Sequence, residues 1–125
     1  DISLEVLDSK AHKRFTYENG KLTFHIQTHT KVAVGENQRM IDMMDHEQVR
    51  RIEEAGERKL EQNVRELLDI LQQQMKTDIF GFGEMIYERN FSLWKELETG
   101  WDQIYPTVAV EVSCEVEVVS SGFTR

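Results

Sequence analysis

The stretch Glu18-Asn19-Gly20-Lys21-Leu22-Thr23-Phe24-His25-Ile26-Gln27-Thr28-His29-Thr30-Lys31-Val32-Ala33-Val34 decides the fold class. Asn-Gly between alternating runs is a hairpin signal, because both residues tolerate the positive φ of a type I′ turn. After it, Leu22, Phe24, Ile26, Thr28, Thr30, Val32 and Val34 share one face, and Thr23, His25, Gln27, His29 and Lys31 the other. Period two with one wet side predicts a strand of an antiparallel sheet covered on one face. Before the turn, Phe15 and Tyr17 alternate with polar residues and form the hairpin partner. Ile2, Leu4 and Val6 alternate as well and predict a further strand at the start of the chain. Near the other end, Val108, Val110, Val112, Cys114, Val116 and Val118 oppose Glu111, Ser113, Glu115 and Glu117, a regular strand expected to pair with the hairpin.

Between these strands the period changes to that of a helix. Asp45 is a good N-cap, Gln48 completes a capping box, and Met44 with Val49 sits where a hydrophobic staple would. Val49, Ile52, Gly56, Leu60, Val64, Leu67, Leu71 and Met75 then recur at three or four residues, with no Pro between 45 and 76. This helix is expected to lie along the sheet, with Gly56 allowing close approach on the packed face. Asp78 is expected to cap a short helix through Phe82, Met85 and Ile86. Asn90 to Glu98 forms another, with Gly100 as its stop and Pro106 blocking further helix. The expected fold is α+β: an antiparallel sheet of about four strands, packed on one face by a long helix and two or three short ones.

Composition bounds the function. The 125 residues carry 15 Lys+Arg and 23 Asp+Glu, a formal net charge of −8. An acidic chain lacks the cations that meet phosphates, so nucleic acid is not an expected partner. Nothing approaches the run of about 18 apolar residues that spans a bilayer. One Cys cannot make an internal disulfide or a multi-Cys zinc site. The chain is expected to be a single domain over 1–125, cut from a larger protein.

The chemistry-bearing residues have plain readings. His25 and His29 share a strand face but stand about 13 Å apart, too far to chelate one ion. Cys114 reads as a small buried hydrophobe. Glu53, Glu54, Glu57 and Glu61, interspersed with Arg50, Arg51, Arg58 and Lys59, read as a solvated helix face. Gly81-Phe82-Gly83 lacks the third Gly and the Lys of a phosphate loop, so its glycines serve close packing or a tight turn. No catalytic, metal or cofactor site is expected. Seven of the eleven aromatic residues fall between Phe80 and Tyr105. They read as core for short helices, or as anchors for a partner.

Three segments carry a family resemblance. Asp78-Ile79-Phe80-Gly81-Phe82-Gly83-Glu84, then Phe91-Ser92-Leu93-Trp94, then Trp101-Asp102-Gln103-Ile104-Tyr105-Pro106 resemble the C-terminal domain of the Ger(x)C, or GerAC-like, spore germination proteins. That pattern runs Asp-x-x-Gly-x-Gly-Glu, a Trp further on, Trp-Asp-x-x-Phe/Tyr-Pro, and a closing Val-rich strand to about residue 122. The family places Pro near position 91, where this chain has Phe91. The resemblance implies a non-enzymatic C subunit of a nutrient germinant receptor. It would be a lipoprotein of the endospore inner membrane acting with integral-membrane A and B subunits, its lipid anchor outside this fragment. The pattern marks Asp78, Gly81, Phe82, Gly83, Glu84, Trp94, Trp101, Asp102, Tyr105 and Pro106 as structural or interaction residues. The alternative is a nutrient-binding module with a pocket between sheet and helices.

Overall fold

The computed structural model describes residues 4–34 and 44–119. Ile2 of the expected first strand and residues 120–122 of the family pattern lie outside them. The order is β1 (Leu4–Glu18), β2 (Lys21–Val34), α1 (His46–Asp69), α2 (Phe82–Arg89), α3 (Phe91–Leu97), α4 (Trp101–Ile104) and β3 (Ala109–Val119). The sheet has three strands, ordered β1-β2-β3.

The hairpin turn is type I′, with φ of 52° at Asn19 and 76° at Gly20. The expected four strands are three, because β1 runs unbroken where two strands were expected. Residues 7–14 hold no Gly, Pro or Asn to turn the chain. The side chains change parity along β1 instead. Ser9 hydrogen-bonds Thr30 through their hydroxyls at 3.0 Å, on the same face as Val32, and Phe15 meets Phe24. Yet Leu4, of even number, packs against the cluster of Val32 and Ile52. Strict alternation cannot place both sets inward, so the alternation does not hold between Leu4 and Ser9.

The sheet is mixed, not antiparallel. His25 pairs with Glu111 and His29 with Glu115, so partner numbers rise together and β3 runs parallel to β2. Parallel neighbours need a long crossover, and the helical segment between Val34 and Ala109 supplies it.

Two compact units emerge, each drawing on several elements. The first joins residues 1–12, 27–62 and 113–125. Its core is Val32, Ile52, Val116 and Val118. Here α1 starts on its Asp45 cap, whose Oδ1 accepts from Gln48 N at 3.1 Å. Gly56 lies over Val116, whose methyls would sit 3.5 Å from an added Cβ.

The acidic face of α1 is not simply solvated. Glu53, Glu57 and Glu61 accept from the backbone N–H groups of Val118 (2.9 Å), Val116 (2.9 Å) and Cys114 (3.2 Å). Four helical residues rise about 6.0 Å and two strand residues about 6.6 Å, so the two ladders stay in step. Helix numbers rise as strand numbers fall, so this part of α1 runs against β3. Arg50 sits between Glu53 (3.0 Å) and Glu57 (3.2 Å) and balances their charge. The carboxylates thus close the free edge of β3 against another strand. Glu57→Ala is expected to lower stability by about 1–2 kcal/mol, one buried donor's share. It should also raise self-association, seen as concentration-dependent light scattering. Unchanged values in both would remove the edge-closing role.

The second unit joins residues 13–26 and 63–112. Its core gathers Leu22, Phe24, Ile26, Leu68, Phe82, Met85, Ile86, Leu93, Tyr105 and Val108. The helical stripe shifts here: Leu68 is buried, while Leu67 and Met75, expected inward, are exposed. The inward step from Val64 is four residues, not three. After Asp69 the helix widens into a π-turn over Ile70–Gln74, then stops at Lys76 in the left-handed region. Gly100 does not end the helical run as expected. It belongs to a 3₁₀ turn that leads into α4.

Candidate functional site

Residues 72–108 tie the short helices into one knot, and Asp78 is its centre. Its Oδ1 accepts from Phe82 N and its Oδ2 from Gly83 N, both at 2.8 Å, so one carboxylate satisfies two free amides of the α2 N-terminus. Oδ2 also accepts from Trp101 Nε1 at 3.3 Å. The chain reaches α2 through Gly81, whose φ of 74° suits a residue without Cβ. Gly83 is required by proximity. A Cβ there would sit 3.0 Å from Trp101 Nε1 and 3.1 Å from Trp94 Cη2.

The ring system extends from there. Phe82 stacks on Phe24 at 4.1 Å and lies beside Phe80, Tyr105 follows, and Trp94 meets Trp101 edge-on at 5.6 Å. Tyr105 donates its hydroxyl to Thr77 O at 2.7 Å, and burial with the nearby Asp78 charge pushes its phenol pKa up. Gln72, buried on the π-turn, donates to Tyr105 O and Val108 O. Gln73 donates to Pro106 O.

Of the ten residues marked by the sequence pattern, Phe82, Gly83 and Tyr105 are buried, while Glu84 and Asp102 are exposed. Asp78, Gly81, Trp94, Trp101 and Pro106 are partly buried in the knot. The solvent-facing aromatic residues here are Tyr87 and Phe91, stacked edge-on at 5.3 Å. Phe91 opens α3 behind the Asn90 cap, the position where Pro is readily accepted.

Elsewhere two features stand out. In the first unit a groove of about 640 Å³ lies between α1 and the sheet. A pocket between sheet and helices was the alternative expectation, but its lining could not be named from the sequence because its walls come from four separated segments. On the outer face, His29 donates from Nδ1 to Glu115 (2.9 Å) and from Nε2 to Glu117 (3.0 Å). Two donated bonds require the imidazolium, and the Glu115 bond, then the Glu117 bond, raise its pKa above 6.5. A raised folded pKa stabilises the fold below the unfolded value and loses that contribution as pH rises through the folded value. His29→Gln is therefore expected to shift the urea midpoint at pH 6 and not at pH 9. An equal shift at both values would remove the clamp.

Cys114 is buried, and burial first of all raises its pKa, so the thiol stays protonated. Among the described residues no group of three His, Cys, Asp or Glu is placed to hold a metal ion. None of their helices is long and apolar enough to cross a membrane.

Known proteins resemble this chain in sequence and in fold. Residues 1–122 match the family described as Spore germination B3/GerAC like, C-terminal. The chain is 28% identical to spore germination protein B3 of Bacillus subtilis (strain 168), over 97% of its own length and 33% of that protein's. It is 22% identical to spore germination protein KC of the same organism, over 97% of its own length and 30% of that protein's. The chain thus spans about a third of these relatives. The fold resembles the crystal structure of the GerBC protein, with a TM-score of 0.76, 24% identity, and coverage of 95% of this chain and 41% of that one. A match running through the hairpin, the long helix, the Asp78 knot and the final strand makes this chain a member of the GerAC-like C-terminal family of spore germination proteins.

Proposed function

We propose that residues 1–125 form one GerAC-like C-terminal domain of a germinant-receptor C subunit, and that it works by protein–protein contact without catalysis. The family match over residues 1–122 carries this reading. In the parent protein a lipid anchor would hold it at the endospore inner membrane, beside the integral-membrane A and B subunits. The net charge of −8 disfavours an anionic bilayer surface, so the domain meets protein. The ten motif residues serve mainly to shape the knot, and the contact falls on what the knot displays, the Tyr87–Phe91 pair. The test is Tyr87→Ala with Phe91→Ala in the parent protein in spores. The domain should melt as before, while the A and B subunits cease to co-purify and germination slows. Normal assembly and germination would overturn contact through this face.

A second reading, a small-molecule module, is favoured by the groove of about 640 Å³, within the range of ligand pockets. A ligand at 100 times its Kd adds about 2.7 kcal/mol and raises the Tm visibly. No shift across a nutrient panel would count against nutrients as its occupants.

A further inference from the structure

The groove has a chemistry more specific than its size. Val32, Ile52, Leu60 and Val116 make its walls aliphatic, and Gly56 lets the helix backbone come close to Val116 at its floor. Its buried hydroxyl, on Thr30, is already engaged by Ser9. No Asp or Glu among the described residues lines it. Gln48 is its other uncharged polar side chain, so a sugar would find few partners there, and an ammonium group no carboxylate among the described residues.

The lip on α1 is cationic. Arg51, Ala55 and Lys59 follow one another at four-residue spacing, so they form one line along the helix, about 12 Å from first to last. Neighbouring Arg50 is tied to Glu53, Glu54 and Glu57. Arg51 has only Glu47 at 4.0 Å, and Lys59 has no partner among the described residues. In a chain of net charge −8, two loosely held cations flank an aliphatic trough.

We propose that this groove binds a single-chain aliphatic carboxylate. Its chain lies along Val32, Ile52 and Val116, and its carboxylate is held at the lip by Arg51 and Lys59. The proposal rests on reading the groove as a ligand site. It adds the ligand class, which the lining opposes to zwitterionic amino acids and sugars.

The test is titration calorimetry of this chain with sodium decanoate and with decyltrimethylammonium, both below their micelle concentrations. Decanoate should bind one per chain, at least tenfold tighter than the cation. Arg51→Glu with Lys59→Glu, both exposed positions, should weaken decanoate roughly tenfold. Ala55→Trp, also exposed, should fill the mouth and abolish binding of either probe. Equal binding of the two probes would overturn the anion preference and leave the groove as a ligand site. Binding of neither would overturn both. Decanoate binding unmoved by Ala55→Trp and by the charge reversal would place the site elsewhere and overturn the proposal.

Discussion

Asp78→Ala is expected to lower the unfolding free energy by about 3–5 kcal/mol. An N-cap alone is worth about 0.5–2 kcal/mol. Asp78 does more, since its two oxygens take the amides of Phe82 and Gly83 and the indole N–H of Trp101. Gly83 is buried, so its amide would lose its partner with limited access to water. Each stranded buried donor costs about 1–3 kcal/mol, and bonds to a charged acceptor lie at the upper end. Asp78→Asn keeps one acceptor oxygen and is expected to recover part of the loss. The check is the urea midpoint of the three proteins at one pH. If Asp78→Ala costs no more than an ordinary cap, the carboxylate does not centre the knot.

Phe82→Ala is expected to lower stability by about 3–5 kcal/mol, through lost transfer energy and the cavity left behind. Phe82 is fully buried and touches three other rings, with Phe24 closest at 4.1 Å. The surrounding rings are rigid and can collapse into the space only partly, so the upper half of the range is expected. A domain holds about 5–15 kcal/mol in total, so either substitution brings it near the threshold of folding. Near-ultraviolet circular dichroism separates the cases. Loss of the Trp94–Trp101 signal at low temperature would mean the knot has melted, and its retention with a lowered midpoint would mean a cavity inside an intact knot. A midpoint within about 1 kcal/mol of the parent would remove Phe82 from the core.

Much of the secondary structure was legible because it is set locally. Asn19-Gly20 turns the hairpin by its own φ preferences. Asp45 caps α1 through its neighbour Gln48. The alternation of Cys114, Val116 and Val118 with Ser113, Glu115 and Glu117 survives as buried against outward positions. The Asp78 segment was legible as a family pattern, but the reach of Asp78 to Trp101, twenty-three positions along the chain, was not.

The misreadings share one physical cause. Alternation is the same whichever way a strand runs, so the direction of β3 beside β2 was open until His25 met Glu111 and His29 met Glu115. Glu53, Glu57 and Glu61 at four-residue spacing look identical on a wet helix face and along a strand edge. Their role appears once the N–H groups of β3 lie within reach. The groove, likewise, is made of β1, β2, α1 and β3 side chains that no window of sequence contains.

The sequence by itself determined the hairpin turn, the helical segments between the hairpin and the final strand, that strand itself, and the family. Turn preferences, capping and periodicity act over a few residues, and the motif is contiguous in its parts. Tertiary structure alone decided the parallel edge, the carboxylate ladder that closes it, the aromatic knot around Asp78 and the cationic lip of the groove. Each of these depends on which distant backbone or side chain comes within hydrogen-bonding or packing distance, and chain folding sets that distance.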